Sequence, residues 1–166
     1  TASQTETEKE IYRLHPEQGY KILSPLRGVS PDILDSVLQH HECMDGSGFP
    51  RRLRQADIHP FARVIALADT FHTLSRQSAQ SNPFYLSESM LIDYFGKLDP
   101  LVADTFTRRI RDYLLSHKVQ LSDGRKAEVV YLQQNESRHP VIKTADGEFI
   151  DLLKRRDISI TGLIRK

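Results

Sequence analysis

The chain has 166 residues and a mass of 19.1 kDa, enough for one domain with an appendage or two very small ones, and for a real hydrophobic core. Apolar residues make up 39% and charged residues 27%, and 23 Lys+Arg against 22 Asp+Glu leave a formal charge of +1, so the basic footprint of a nucleic-acid-polymer binder is missing. The longest unbroken apolar stretch, Val64 to Ala68, is far too short to cross a membrane, and the polar opening Thr1 to Glu6 lacks a signal-peptide core. No membrane segment is expected in this chain, and a single cysteine, Cys43, agrees with a reducing, cytoplasmic setting. Because it opens with Thr rather than Met, the chain reads as a piece of a longer protein.

Period and composition divide the chain near Ser116: residues 1–116 read as helical and 117–166 as a small antiparallel β unit, so the expected fold class is mainly α. In segment 6–24 the pair His15-Pro16 predicts a corner between two helices, because proline lacks a backbone donor. Ser30-Pro31-Asp32 predicts a helix start with Ser30 as N-cap, and this helix is expected to run into His40 and His41. The run Asp45-Gly46-Ser47-Gly48 then makes a tight loop that Phe49-Pro50 closes. Pro60 opens a helix whose Phe61, Val64, Ile65, Ala68, Phe71 and Leu74 recur with the spacing of a buried stripe, Asp69 lying beside it. Ser75 to Pro83 reads as a loop, Ser87 as the cap of a short helix ending at Gly96, and Asp99-Pro100 as the start of another ending near Ser116. Beyond it, two hairpins are expected around Asp123-Gly124 and Asp146-Gly147, followed by an alternating strand at Ile158-Ser159-Ile160. So small a β unit is expected to pack on helices.

Three features converge chemically: His15 at the expected corner, the adjacent His40-His41, and Asp69 inside an otherwise apolar helix. Neutral imidazoles and carboxylates suit iron, manganese or zinc. Successive side chains on a helix point about 100° apart, so two adjacent histidines are expected to divide between neighbouring ions, or between an ion and a bound anion. Two ions roughly 3.5 to 4 Å apart clamp the attacking and leaving oxygens of phosphoester hydrolysis. Plainer roles stand beside this one: His15 as a hydrogen-bonding group, Asp69 as a partner of Arg63, the glycine loop as a C-cap turn. His59, His72, His117 and His139 lack companions and read as structural, and the arginines at 51, 52 and 54 and at 108, 109 and 111 as solvated faces.

The string His40-His41-Glu42-Cys43-Met44-Asp45-Gly46-Ser47-Gly48-Phe49-Pro50 resembles the signature of the bacterial HD-GYP family, His-His-Glu followed by Asp-Gly-x-Gly-Tyr-Pro. Before it, His15-Pro16-Glu17-Gln18-Gly19-Tyr20-Lys21-Ile22-Leu23 is similar to the family's His-Pro-x-x-Gly-x-x-Ile-Leu; after it, Ala62 to Phe71 resembles the stretch that ends Ala-Asp-x-Phe. The resemblance covers about Glu6 to Ser116. It implies an HD-type helical bundle, here incomplete, holding two or three iron or manganese ions and hydrolysing cyclic di-GMP in bacterial signal transduction. Carried over by position, it implies His15, His40, His41 and Asp69 as metal ligands, and Asp45, Gly46, Gly48, Phe49 and Pro50 as the signature loop. No general acid is identified.

The departures set further expectations. The family's His-Asp pair belongs before His15, and residues 1–14 contain none, so this chain alone is expected to lack the central ligands and to be inactive. Phe49 replaces the family's tyrosine, His72 stands where aspartate is common, and Ser75 to Tyr85 lacks the Arg-Pro-Tyr pattern that grips substrate phosphates. A second reading is therefore a degenerate module that binds a nucleotide or a signalling-protein partner without hydrolysis. A third is an assembly module whose β unit docks a neighbouring domain or a second copy in a homodimer.

Overall fold

A computed structural model describes residues 5–77, 83–132 and 139–164. The chain divides into two compact units, one of residues 1–70 with 94–103, the other of residues 71–93 with 104–166.

The first unit opens with α1 (Glu6–Leu23), started by a capping box in which Thr5 Oγ1 accepts from the Glu8 backbone N–H while Glu8 accepts from that of Thr5. The corner expected at His15-Pro16 is absent: Pro16 lies buried inside one continuous helix of 18 residues. Proline deletes the hydrogen bond its own N–H would give to the carbonyl four residues back, that of Tyr12, and its ring crowds that carbonyl, yet the remaining turns carry the helix through. Helix α2 (Pro31–Gln39) starts as its spacing predicts, with Ser30 Oγ accepting from the Ile33 N–H at 3.4 Å and Pro31 in the first turn. It packs on α1 where a Cβ on Gly19 would stand 2.8 Å from Val37 Cγ1, so the missing side chain lets the helices approach.

The expectation that α2 runs into the two histidines also fails, since the helix ends at Gln39 and His40 is its C-cap. The segment that follows, with a 3-10 turn at Gln55–Asp57, is tied to buried polar side chains. Glu42, 3% exposed, accepts from the backbone N–H groups of Arg51 (2.6 Å) and Leu53 (2.9 Å), and Gln39 accepts from that of His59 (2.7 Å). Helix α3 spans Pro60–Gln77. Its expected stripe is not buried: Phe61, Val64 and Ile65 are exposed while Ala62 and Leu67 are covered. Both faces of this helix are apolar, so period alone does not choose between them, and the alanine side permits the closer approach. Arg63 pairs at 3.0 Å with Asp99, not with Asp69.

In the second unit, α4 (Pro83–Asp93) begins a turn before the expected Ser87 and ends before Gly96, because proline suits a first helical turn and Ser87 is buried within the helix. Of the loop expected at 75–83, Ser75 to Gln77 are helical, Pro83 opens α4, and 78–82 fall outside the described residues. Helix α5 (Pro100–Leu114) starts in the first unit at the Asp99 cap and ends in the second.

The sheet is antiparallel throughout, in the order β4-β3-β2-β1-β5, from β1 (Lys118–Leu121), β2 (Lys126–Tyr131), β3 (Val141–Thr144), β4 (Phe149–Asp151) and β5 (Ile160–Leu163). The two expected hairpins turn at Gly124 and Gly147, both at positive φ. The last strand starts at Ile160 rather than Ile158 and folds back beside β1, pairing Leu163 with Val119. Alternate residues Val119, Leu121, Ala127, Val129, Ile142 and Ile150 face one core, completed by Leu114 and Ile110 of α5. The β unit thus packs on a helix, as its small size predicts.

Candidate metal centre

One ring nitrogen from each of His15, on α1, and His40 and His41, just past α2, lies within 4.8 Å of the other two. The adjacent histidines were expected to diverge, yet their ring centroids are 4.2 Å apart. That expectation assumed both inside an α-helix; the helix ends at Gln39, and a tighter turn follows in which the Glu42 N–H donates to the Gln39 carbonyl.

Hydrogen bonds fix which nitrogens face the cluster. His15 Nδ1 lies 2.6 Å from the Tyr12 carbonyl and His40 Nδ1 lies 2.7 Å from the Val37 carbonyl. A carbonyl only accepts, so each Nδ1 carries the proton and each Nε2 presents a lone pair. Those Nε2 atoms stand 3.0 Å apart. Two facing lone pairs at that separation repel unless something positive lies between them. It is also the spacing two nitrogens keep when they share an ion at right angles with bonds of about 2.1 Å. Ligating histidines characteristically give their other N–H to a carbonyl or carboxylate. The residues present therefore fit a divalent metal.

His41 is oriented differently. Its Nε2 lies 3.1 Å from the Tyr12 hydroxyl, its ring stacks on Phe49 with centroids 4.8 Å apart, and its Nδ1 is 4.0 Å from an Asp69 oxygen. Burial, reinforced by His40 and His15, pushes the His41 imidazole down to about 4 despite Asp69. Burial likewise lowers His40, so both remain neutral near pH 7 (typical imidazole pKa about 6.5), the state a metal requires. The Tyr12 hydroxyl is pushed up, by burial first and then by Asp69.

The signature loop holds this end together. Gly48 is required sterically, because a Cβ there would stand 2.4 Å from the Cys43 backbone nitrogen and 2.5 Å from the His41 carbonyl oxygen. Asp45 accepts from the Ser47 N–H at 2.9 Å, Gly46 sits at positive φ beside the Arg54 side chain, and the Phe49 N–H donates to the His41 carbonyl. Phe49-Pro50 continues into the turn whose Arg51 N–H the Glu42 carboxylate holds.

Of the residues singled out in the sequence, the three histidines converge, Asp69 flanks His41, and of the signature loop Gly48 and Phe49 lie against His41. His59 stays structural, its Nδ1 accepting from the Phe61 N–H and its Nε2 3.3 Å from Asp32. Tyr12 was not singled out, and Glu42 was read only as part of the His-His-Glu signature, without a role of its own. Tyr12 lies three residues before His15, hence on its helix face, a signal that period alone could have supplied. Glu42 stands in the signature string, but nothing local says that its buried carboxylate binds backbone.

The HD domain family model matches residues 2–100. The chain belongs to the HD domain family. It is 30% identical over 123 residues to a cyclic di-GMP phosphodiesterase of Pseudomonas aeruginosa, a match covering 73% of this chain and 30% of that protein. It is 38% identical over 78 residues to a 3′3′-cGAMP-specific phosphodiesterase of Vibrio cholerae, covering 45% of this chain and 18% of the relative. A solved structure described as an HDG"Y"P protein from Bdellovibrio bacteriovorus shares the fold, with a TM-score of 0.57 and 19% identity over 66% of this chain and 35% of that one. The chain spans 30% to 40% of the length of three cyclic di-GMP phosphodiesterases that it matches. Among the described residues, no helix is long and apolar enough to cross a membrane.

Proposed function

We propose that this chain supplies part of the metal centre of a cyclic-dinucleotide phosphodiesterase acting on cyclic di-GMP, with His15, His40, His41 and Asp69 as ligands. The observation that carries the reading is the pair of Nε2 lone pairs 3.0 Å apart, each set by an Nδ1–H held on a backbone carbonyl. The relatives' names supply the substrate class. Iron or manganese, in two or three positions, is the metal the HD-GYP resemblance implies, and such ions supply Lewis-acid stabilisation of charge developing on phosphate oxygens. The chain's own residues do the rest. Tyr12 and Val37 fix the rings through their carbonyls, Asp69 adds an anionic donor beside His41, and Phe49 stacks on that imidazole and excludes water from one face.

The test is hydrolysis of cyclic di-GMP, with 3′3′-cGAMP alongside, by the full-length protein loaded with manganese or iron. Turnover of cyclic di-GMP, lost in His40→Ala and Asp69→Ala variants that keep their far-UV circular dichroism, is the expected result. Turnover unchanged in both variants refutes the ligand assignment, and turnover of 3′3′-cGAMP alone corrects the substrate.

A further inference from the structure

Pro16 is an unexplained cost: a proline inside a helix is less favourable than alanine by about 3 kcal/mol, yet this one sits buried in the middle of α1, directly after His15. In an uninterrupted helix the N–H of residue 16 would bond the carbonyl of Tyr12. Proline has no N–H, so that carbonyl is free, and His15 Nδ1 occupies it at 2.6 Å. The same device recurs across the cluster with a different origin. The Val37 carbonyl is one of the last four of α2, unclaimed because the helix ends, and His40 Nδ1 occupies it at 2.7 Å. In both cases a ring reaches back three residues to a carbonyl that helical bonding has vacated, and in both the Nε2 lone pair is left facing the other ring.

We infer that Pro16 is a positioning residue for the metal centre: by withholding a backbone donor from Tyr12 it holds His15 as the Nδ1–H tautomer and aims its Nε2 at His40. The inference rests on the metal reading above for its purpose, but not for its chemistry, since the tautomer exists with or without an ion. It also explains why the cost of the proline is tolerated: an alanine would give the helix a better residue and return the carbonyl to the backbone.

The experiment uses the full-length protein carrying ring-15N histidine, metal-free and mildly alkaline so that imidazoles are neutral, with Pro16→Ala beside wild type and zinc titrated as the probe. The expected wild-type spectrum shows His15 protonated on Nδ1. In Pro16→Ala the His15 population moves towards Nε2–H and zinc affinity falls by about tenfold to a hundredfold, the range for losing a partner behind a ligand, while the melting temperature does not fall. A wild-type His15 protonated on Nε2 overturns the inference without reference to any variant. So does a Pro16→Ala protein with unchanged tautomer, whether its zinc affinity is unchanged or falls together with its melting temperature, which would make Pro16 merely structural. Wild-type protein that binds no zinc yet shows the tautomer and its shift in Pro16→Ala refutes the metal reading and leaves the positioning role standing.

Discussion

The two units of this chain are stabilised by different means. The sheet and the end of α5 close one apolar cluster in which Val119, Val129 and Ile142 are fully buried. The unit holding His15, His40 and His41 buries Leu38, Ile58 and Leu67, but beside them the polar groups Ser36, Gln39, Glu42 and Asp99, and it leaves Ile11, Leu14, Ile22, Ile33, Phe61 and Val64 about half exposed or more. In the first case stability follows area removed from water; in the second, hydrogen bonds from buried side chains to loop backbone hold the chain in a shape that apolar packing alone would not specify. The lesson is about division of labour. Three imidazoles that converge are oriented by polar contacts, His15 and His40 on backbone carbonyls and His41 on the Tyr12 hydroxyl.

The largest effect should therefore fall on the half without chemistry. Ile142→Ala removes most of a fully buried side chain and should cost about 2–5 kcal/mol in urea unfolding, with zinc affinity at the histidines unchanged. Zinc affinity lost in step with that stability would break the comparison.

A smaller effect, with a pH signature, tests the polar half. Burial alone would raise Asp99, but the N–H groups of Val102 and Leu101 and the Arg63 guanidinium outweigh it and hold the carboxyl below its ordinary range. A carboxyl depressed in the folded state contributes stability above its unfolded pKa, about 3.9, and that contribution is lost as pH falls through the folded value. Asp99→Asn keeps a capping oxygen but removes the charge that faces the α5 N-terminus and Arg63, so it should cost about 1 kcal/mol or less at neutral pH and flatten the acid limb below pH about 4 in denaturation curves. An acid limb identical to wild type would show that Asp99 contributes no pH-dependent stability.

What was legible in the sequence follows the same division. Elements written by local rules could be read directly: Ser30-Pro31-Asp32 starts a helix, the two Asp-Gly turns close hairpins, and period-two strands declare their buried face. The convergence of His15 with His40-His41 could be read from residue type and motif order. The rest depended on neighbours. Whether Pro16 breaks a helix depends on the turns around it, and which apolar face of α3 is covered depends on what packs there. The signature string contains Glu42 and helical period places Tyr12 beside His15, but their contacts with Arg51, Leu53 and His41 depend on the folded chain.

The last predicted effect is no larger in stability, and it is the sharpest, because two terms of opposite sign partly cancel. Gly19 lies on α1 one turn beyond His15, where α2 brings Val37 against it. Alanine there gains about 1 kcal/mol of helix propensity. Its Cβ would lie 2.8 Å from Val37 Cγ1, a β-branched methyl that cannot swing away freely, and overpacking of this kind costs about 1–3 kcal/mol. The net loss in Gly19→Ala should be about 1 kcal/mol by urea unfolding, the difference of those two terms. The displacement has a second consequence, since Val37 also offers the carbonyl that holds His40. Moving α2 away from α1 widens the gap between His40 and His15, so zinc affinity should fall although no ligand has been touched. A Gly19→Ala protein that loses stability but binds zinc as wild type does would show the ligand spacing to be independent of the contact between the helices.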